Sequence, residues 1–157
     1  MPLMLSRLLP LLAVPLLIGS TGVASTAQTC RFLQPIGGTG SPIVAKSVGA
    51  GRIFGKTNWN TDFIVDQPYS SFKFFFTANS SDANATYPVE AFMKFTDGSN
   101  LQVVNESMNP PIGRGRMFGP FPAIPGKQAS QMNFKVGASN DPGALGFSYR
   151  ISVQGCN

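Results

Sequence analysis

The sequence predicts an all-β protein: an antiparallel two-sheet β-sandwich, jelly-roll-like, with about eight or nine short strands. Three observations carry this prediction. Beyond residue 27, apolar residues alternate with polar ones at a period of two rather than 3.6. Glycine and proline, with 17 and 13 residues, interrupt the chain throughout. Cys30 and Cys156 frame the alternating region at its two ends.

The first segment has the order of a secretory signal peptide. Met1 to Arg7 carries one positive charge, Leu8 to Ile18 is apolar, and small residues follow as far as Ala27. A membrane span needs about 20 apolar residues, whereas this run is shorter and contains Pro10 and Pro15. We therefore expect residues 1–27 to be cleaved, residues 28–157 to form a single domain, and no stable membrane span to remain after cleavage.

The two cysteines predict a disulfide, because an exported chain with two cysteines most simply pairs them. Closing a loop of nearly the whole domain stabilises the fold by roughly 4 to 5 kcal/mol. The sequence contains no histidine, so it offers neither an imidazole metal site nor a Cys–His nucleophile.

The alternation of apolar and polar residues predicts individual strands along the chain. Ser71 to Thr77 places Phe72, Phe74 and Phe76 on one face. Tyr87 to Thr96 alternates in the same way, and the Asp97-Gly98 pair then predicts a tight hairpin. The remaining candidates are Cys30 to Leu33, Ile43 to Val48, Arg52 to Phe54, Asp62 to Val65, Leu101 to Val104, Arg116 to Phe118, Gln131 to Val136 and Phe147 to Gln154.

Two segments do not read as regular strands. Gln34 to Ser41 is glycine-rich and predicts a loop. Asn109 to Lys127 contains five prolines and four glycines, which is unlike a central strand. This second segment is either a contact surface or a crossover loop, and Arg114, Arg116 and Phe118 within it are candidate ligand contacts.

Catalysis and nucleic-acid binding are both disfavoured. Without histidine there is no Ser-His-Asp triad, and no residue pattern implies a cofactor. The seven carboxylates leave a two-carboxylate hydrolase as the remaining catalytic alternative. Removing Arg7 from the 12 Lys and Arg leaves 11 against 7 Asp and Glu, a net charge of +4. Nucleic-acid binders carry a denser basic charge.

The run Asn58-Trp59-Asn60 is the main candidate binding motif. Sugar rings stack on flat aromatic faces, and amides bond to hydroxyl groups. The alternative is that Trp59 belongs to the core, where large aromatic side chains are usually found. Three Asn-x-Ser/Thr sequons, at Asn79, Asn84 and Asn105, would matter only in a eukaryotic source.

Asn58, Asn60 and Asp62 also form a weak calcium candidate, because oxygen ligands alternate in this way in calcium loops. Phe63 and Tyr69 stand where such a loop has glycine and glutamate.

These observations favour a secreted, extracellular or periplasmic, non-catalytic binding module for carbohydrate or a cell-surface polymer. The alternative is a structural subunit of an extracellular fibre, sheath or coat. Low charge and the strand Phe72 to Phe76, apolar on both faces, suggest it, since such a strand is either central or awaits a partner. Self-association would separate the two hypotheses.

Overall fold

Two antiparallel β-sheets face each other in the computed structural model, which describes residues 26–49, 59–80 and 82–157. The strands are numbered in chain order. Sheet A contains β1 (Cys30–Phe32), β3 (Val44–Val48), β5 (Ser71–Ala78), β8 (Gly115–Pro122) and β10 (Phe147–Cys156). Sheet B contains β2 (Gln34–Pro35), β4 (Asn60–Ile64), β6 (Tyr87–Phe95), β7 (Asn100–Met108) and β9 (Ala129–Val136). The predicted all-β sandwich is confirmed.

The strand order is that of a jelly roll. Sheet A runs β3-β10-β5-β8 and sheet B runs β4-β9-β6-β7, so the chain passes repeatedly from one sheet to the other. The two shortest strands extend this plan: β1 pairs with β10 beside β3, and β2 pairs with β4.

The strand β5 is central in sheet A, because it pairs with β10 on one side and β8 on the other. Phe72, Phe74 and Phe76 point inward and are buried, while Phe75 is half-buried on the outward face. Its central position gives β5 a partner strand along each edge, while Phe75 is an apolar residue on the outward face of the sheet.

Aromatic rings fill the space between the sheets around Phe134. Its ring centroid lies 5.7 Å from that of Phe74, 5.9 Å from those of Phe76 and Phe118, and 6.3 Å from that of Tyr149. These tilted contacts join strands of both sheets, so Phe134 ties the two layers of the core together.

The predicted hairpin is confirmed between β6 and β7. Gly98 has a φ of +82°, which few other residues adopt without strain, and its N–H donates to the Phe95 carbonyl at 3.1 Å. Hydrogen bonds from Lys127 and then from Ser99 lower the pKa of Asp97 below the usual range.

The predicted disulfide is also confirmed. Cys30 lies directly opposite Cys156 in the β1–β10 pair, with Cα atoms 4.1 Å apart. Beside it, Thr29 and Asn157 exchange two backbone hydrogen bonds of 2.9 Å. This bond is typical of an oxidising compartment.

The proline-rich segment Asn109 to Lys127 is not irregular throughout, because it contains β8. This strand is an edge strand, where proline is tolerated. Gly119 has a φ of +103°, and a Cβ there would lie 2.7 Å from the Phe72 carbonyl oxygen. The predicted loop Gln34 to Ser41 likewise begins with the short strand β2.

Residues 1–25, which include most of the predicted signal peptide, and the strand candidate Arg52 to Phe54 lie outside the described residues. Across the part that the structure does describe, no helix is long and apolar enough to cross a membrane.

Candidate ligand-binding groove

The outward face of sheet B is polar. Along each strand the inward positions are mainly buried and apolar, and the alternate positions point away from the core. The outward residues are Asn60, Asp62 and Ile64 on β4; Gln131, Asn133 and Lys135 on β9; Pro88, Glu90, Phe92 and Lys94 on β6; and Asn100, Gln102, Asn105 and Ser107 on β7.

Phe92 is the one aromatic residue of this set and lies near its centre. In the register of the sheet it stands opposite Asn133 on one side and Gln102 on the other, with Asp62 beyond Asn133. Its side chain is half-buried. An aromatic ring is therefore surrounded by amides and one carboxylate.

Three depressions that share lining residues adjoin one another across this face. The central one, of about 400 Å³, is lined by Phe92 and Asn133 among others. A second, of about 450 Å³, shares Asn60 and Asp62 with it and extends toward β2 and β3. A third, of about 250 Å³, shares Lys94 and extends to the β6–β7 hairpin. We call these three depressions together the sheet B groove.

The floor of the groove is held by a hydrogen-bond network. Lys94 reaches across β9, and its Nζ donates to Asp62 Oδ1 at 2.7 Å. Asn133 is only 4 % exposed, and its Nδ2 donates to Asp62 Oδ1 at 3.0 Å and to Asn60 Oδ1 at 3.4 Å. Within the described chain, Asp62 Oδ2 and Asn133 Oδ1 take no part in these bonds and remain available as acceptors.

A second pair of charges lies beside the first. Lys135 Nζ lies 2.9 Å from Glu90 Oε2, and Gln102 Nε2 donates to Glu90 Oε1 at 3.1 Å. Together with the Lys94–Asp62 pair, this gives two lysines and two carboxylates on the outward face of sheet B. The charges on these strands are therefore balanced.

Lys46 closes the β3 end of the groove. It belongs to sheet A, and its Nζ donates to the Asn60 carbonyl oxygen in sheet B at 2.6 Å. Burial lowers the pKa of Lys46, and the nearby charge of Asp62 opposes that shift.

This arrangement suits an uncharged ligand rich in hydroxyl groups. Amides both donate and accept hydrogen bonds, and Phe92 offers an apolar surface among them. The two carboxylates of the face, Asp62 and Glu90, are each bonded to a lysine, whereas glycosidic acid catalysis needs one carboxyl group in its protonated form.

Of the two motif residues that the structure describes, Asn60 lines the groove and Trp59 does not. Asn58 lies outside the described residues. Trp59 packs against the core and is half-buried. Its carbonyl oxygen accepts from the Val136 N–H and from the Tyr149 hydroxyl, both at 3.4 Å. Trp59 therefore supports the core, and a contact between its ring and a ligand stays a prediction.

The candidates on β8 lie at the opposite side of the sandwich. Phe118 is buried, and the Arg116 guanidinium lies 4.5 Å from the centre of its ring. Arg116 Nη1 lies 2.5 Å from Glu106 Oε1, and its Nη2 donates to Glu106 Oε2 at 2.9 Å. This clamp ties the edge strand β8 to the edge strand β7. Arg114 is exposed just before β8.

Asn60 and Asp62 do share one face, as the calcium hypothesis requires. However, Asp62 Oδ1 is occupied by Lys94 and Asn133. Among the residues that the structure describes, no group of three His, Cys, Asp or Glu side chains could hold a metal ion.

Phe92 and Asn133 line the centre of the groove, and no sequence motif singled them out. The sequence signal was present for Phe92: it is an aromatic residue on the strand face that also carries Glu90 and Lys94. Asn133 carries no comparable signal, because its burial depends on the neighbouring strands.

Comparisons with known proteins add little to this geometry. No known protein family matches the chain, and no curated protein matches it. A chain in the structure of infectious bursal disease virus Gt strain is similar at 12 % identity with a TM-score of 0.29. The match covers 82 % of this chain and 30 % of that one, so this chain spans less than a third of that length. A similarity this low supports no conclusion about this protein.

Proposed function

We propose that the protein is a secreted, non-catalytic binding module that holds an uncharged carbohydrate chain in the sheet B groove. The observation that carries this proposal is the central row of the outward face of sheet B, in which Phe92 lies between Asn133, which lines the groove, and Gln102 beside it. A sugar ring packs its C–H face on the phenyl ring, while its hydroxyl groups bond to the flanking amides.

The shape of the groove favours a chain over a single sugar. Its three depressions adjoin one another from Lys46 at one end to the β6–β7 hairpin at the other. Asp62 Oδ2 and Asn133 Oδ1 accept from hydroxyl groups, and Lys94 Nζ donates to them. Because the charges of the face are balanced, a neutral polysaccharide fits better than a charged one.

The disulfide between the two ends of the domain and the signal-like segment before it support a location outside the cytosol. The Cys30–Cys156 disulfide is favoured in an oxidising compartment, which for an exported protein is the extracellular space or the periplasm. The signal-like segment before it agrees with export. The non-catalytic assignment rests on the engagement of Asp62 and Glu90 by lysines.

The test is binding to a panel of neutral polysaccharides by isothermal titration, with Phe92→Ala as the variant. Removing a central aromatic contact commonly costs at least about 1.4 kcal/mol, which is about tenfold in affinity. Phe75→Ala is the matched control, because Phe75 is a half-buried outward residue of the other sheet. Equal affinity of the wild type and Phe92→Ala would exclude this site.

One observation favours the alternative, a subunit of a surface assembly. The edge strand β7 has nine residues, no proline and one charged side chain, Glu106, and such edges can pair with another chain. Light scattering over a wide concentration range separates the proposals, because a binding module stays monomeric and an assembly subunit forms oligomers through β7.

A further inference from the structure

The outward face of sheet A differs from the groove face in its charge. All seven carboxylates of the sequence fall in the described residues, and no strand of sheet A contains one. Lys73 on β5 and Arg150 on β10 both occupy outward positions of that sheet. The face therefore carries cations with no carboxylate on its own strands.

The two cations lie on either side of Phe75. Phe75 stands opposite Ser152 on β10 and Met117 on β8. Lys73 is two residues before Phe75, and Arg150 stands opposite the position two residues after it. With a rise of about 3.4 Å per residue, the cation–aromatic–cation line spans about 14 Å along the strands.

Both cations are available to a ligand. Arg150 is exposed, and its guanidinium forms no hydrogen bond or ion pair with the described part of the chain. Lys73 Nζ donates at 2.9 Å to the neutral amide oxygen of Gln28. By contrast, Lys94, Lys127, Lys135 and Arg116 are each paired with a carboxylate. The exposed Arg114 lies just beyond the Arg150 end of this line.

We propose that the outward face of sheet A is a second binding site, which takes an anionic polysaccharide carrying carboxylate or sulfate groups. Arg150 and Lys73 each bond to an anionic group, and a sugar ring packs on Phe75 and on Met117, which is 49 % exposed. The line of cations spaced along an extended strand matches a ligand with charges spaced along a chain.

The same face is less suited to an anionic lipid surface. Lipid-binding segments typically cluster about four to eight Lys or Arg residues, whereas this face has two, with Arg114 nearby. Hydroxyl groups of Thr77, Ser148 and Ser152 separate its apolar side chains. Ser152 is buried and the Ser148 hydroxyl is bonded to that of Ser80, so Thr77 is the hydroxyl of this set that a polysaccharide can reach. A face interrupted by polar groups in this way is poorly suited to insertion into acyl chains.

The experiment uses the oxidised protein with Phe92→Ala, so that binding in the sheet B groove is weakened about tenfold. Binding is measured by isothermal titration to dextran sulfate and to polygalacturonate, with unmodified dextran as the neutral control and phosphatidylglycerol vesicles as the lipid comparison. We expect binding to both anionic polysaccharides that weakens with added salt, and no binding to dextran.

Charge variants locate the site. Lys73→Gln with Arg150→Gln should weaken binding about tenfold or more, because charge-assisted hydrogen bonds are lost. Lys94→Gln with Lys135→Gln removes the same charge from the opposite face and should change the affinity less than about twofold. Melting temperatures verify that both double variants fold.

Three results would overturn this second site. The assignment to the outward face of sheet A is wrong if neither anionic polysaccharide binds or if both double variants weaken binding equally. It is also wrong if vesicles bind and the polysaccharides do not. None of these results affects the proposed neutral-glycan groove, whose own test is the Phe92→Ala titration in the wild-type background.

Discussion

Removing the disulfide should destabilise the domain more than any single surface change. The perturbation is Cys30→Ala combined with Cys156→Ala. The two half-cystines are separated by 126 residues, and chain-entropy considerations give about 5 kcal/mol for closing a loop of that length. Domains of this size typically have only about 5 to 15 kcal/mol of unfolding free energy.

Most of this loss should come from the unfolded state. In the folded state the double variant loses little else, because Thr29 and Asn157 still exchange backbone hydrogen bonds and β1 still pairs with β10. The unfolded chain, however, gains the freedom that the cross-link removed. The slope of unfolding free energy against urea should also rise, because the open chain exposes more surface.

The assay is equilibrium urea unfolding, followed by circular dichroism, of the oxidised wild type, the reduced wild type and the double variant. The reduced protein is the control, since it breaks the bond without changing the sequence. A loss of about 4 to 5 kcal/mol in both supports the entropic account. A loss below about 2 kcal/mol in both would refute it and would show that the chain ends are held by their backbone pairing.

Three further predictions concern the core, the loops and the groove. Phe134→Ala should lower the unfolding free energy by about 3 to 5 kcal/mol in urea, because a ring that joins both sheets is removed. The Leu145 N–H, which donates to Asp82 at 2.6 Å, holds the pKa of Asp82 below its ordinary 3.8. The unfolded chain therefore binds protons first, so the melting temperature should fall as the pH drops below 3.8, and Asp82→Asn should flatten that fall. Asn133→Ala should weaken neutral-glycan binding about tenfold in a titration, whereas Ser152→Ala, a buried outward residue of sheet A, should not.

The alternation of side chains predicts the long strands well. β6 buries every second residue, and β5, β9 and β10 do so along part of their length. That pattern is local in the sequence. The hairpin also follows from the local Asp97-Gly98 pair. Strand order is different, because β5 pairs with β8 and β10, which are distant in the chain. Local patterns contain no information on that pairing.

The lack of local information on strand order also explains why the sequence predicted only part of the candidate site. Trp59 lies directly before β4, where sequence alone does not distinguish inward from outward, and the structure places it against the core. Phe92 could be assigned to a polar face from its neighbours. That this face adjoins Asn133 and Asp62 depends on the order β4-β9-β6-β7.

The candidate contacts near β8 show a second reason why the sequence did not locate the binding site. Arg114, Arg116 and Phe118 are close in sequence and could form one contact surface. Residues two apart on a strand share one face, and Arg116 and Phe118 both point toward the other sheet. Phe118 is buried there, and Arg116 is bonded to Glu106 of that sheet. Only Arg114 of this set stays exposed.

The most direct test of the neutral-glycan groove is chemical-shift mapping by NMR, with an oligosaccharide fragment of the neutral polysaccharide that the wild type binds best. The proposed site predicts shift changes concentrated on outward residues of β4, β9 and β6, with Asn60, Asn133 and Phe92 among the largest, and a quiet outward face of sheet A. Changes confined to sheet A, or to the exposed Arg114 region, would contradict it.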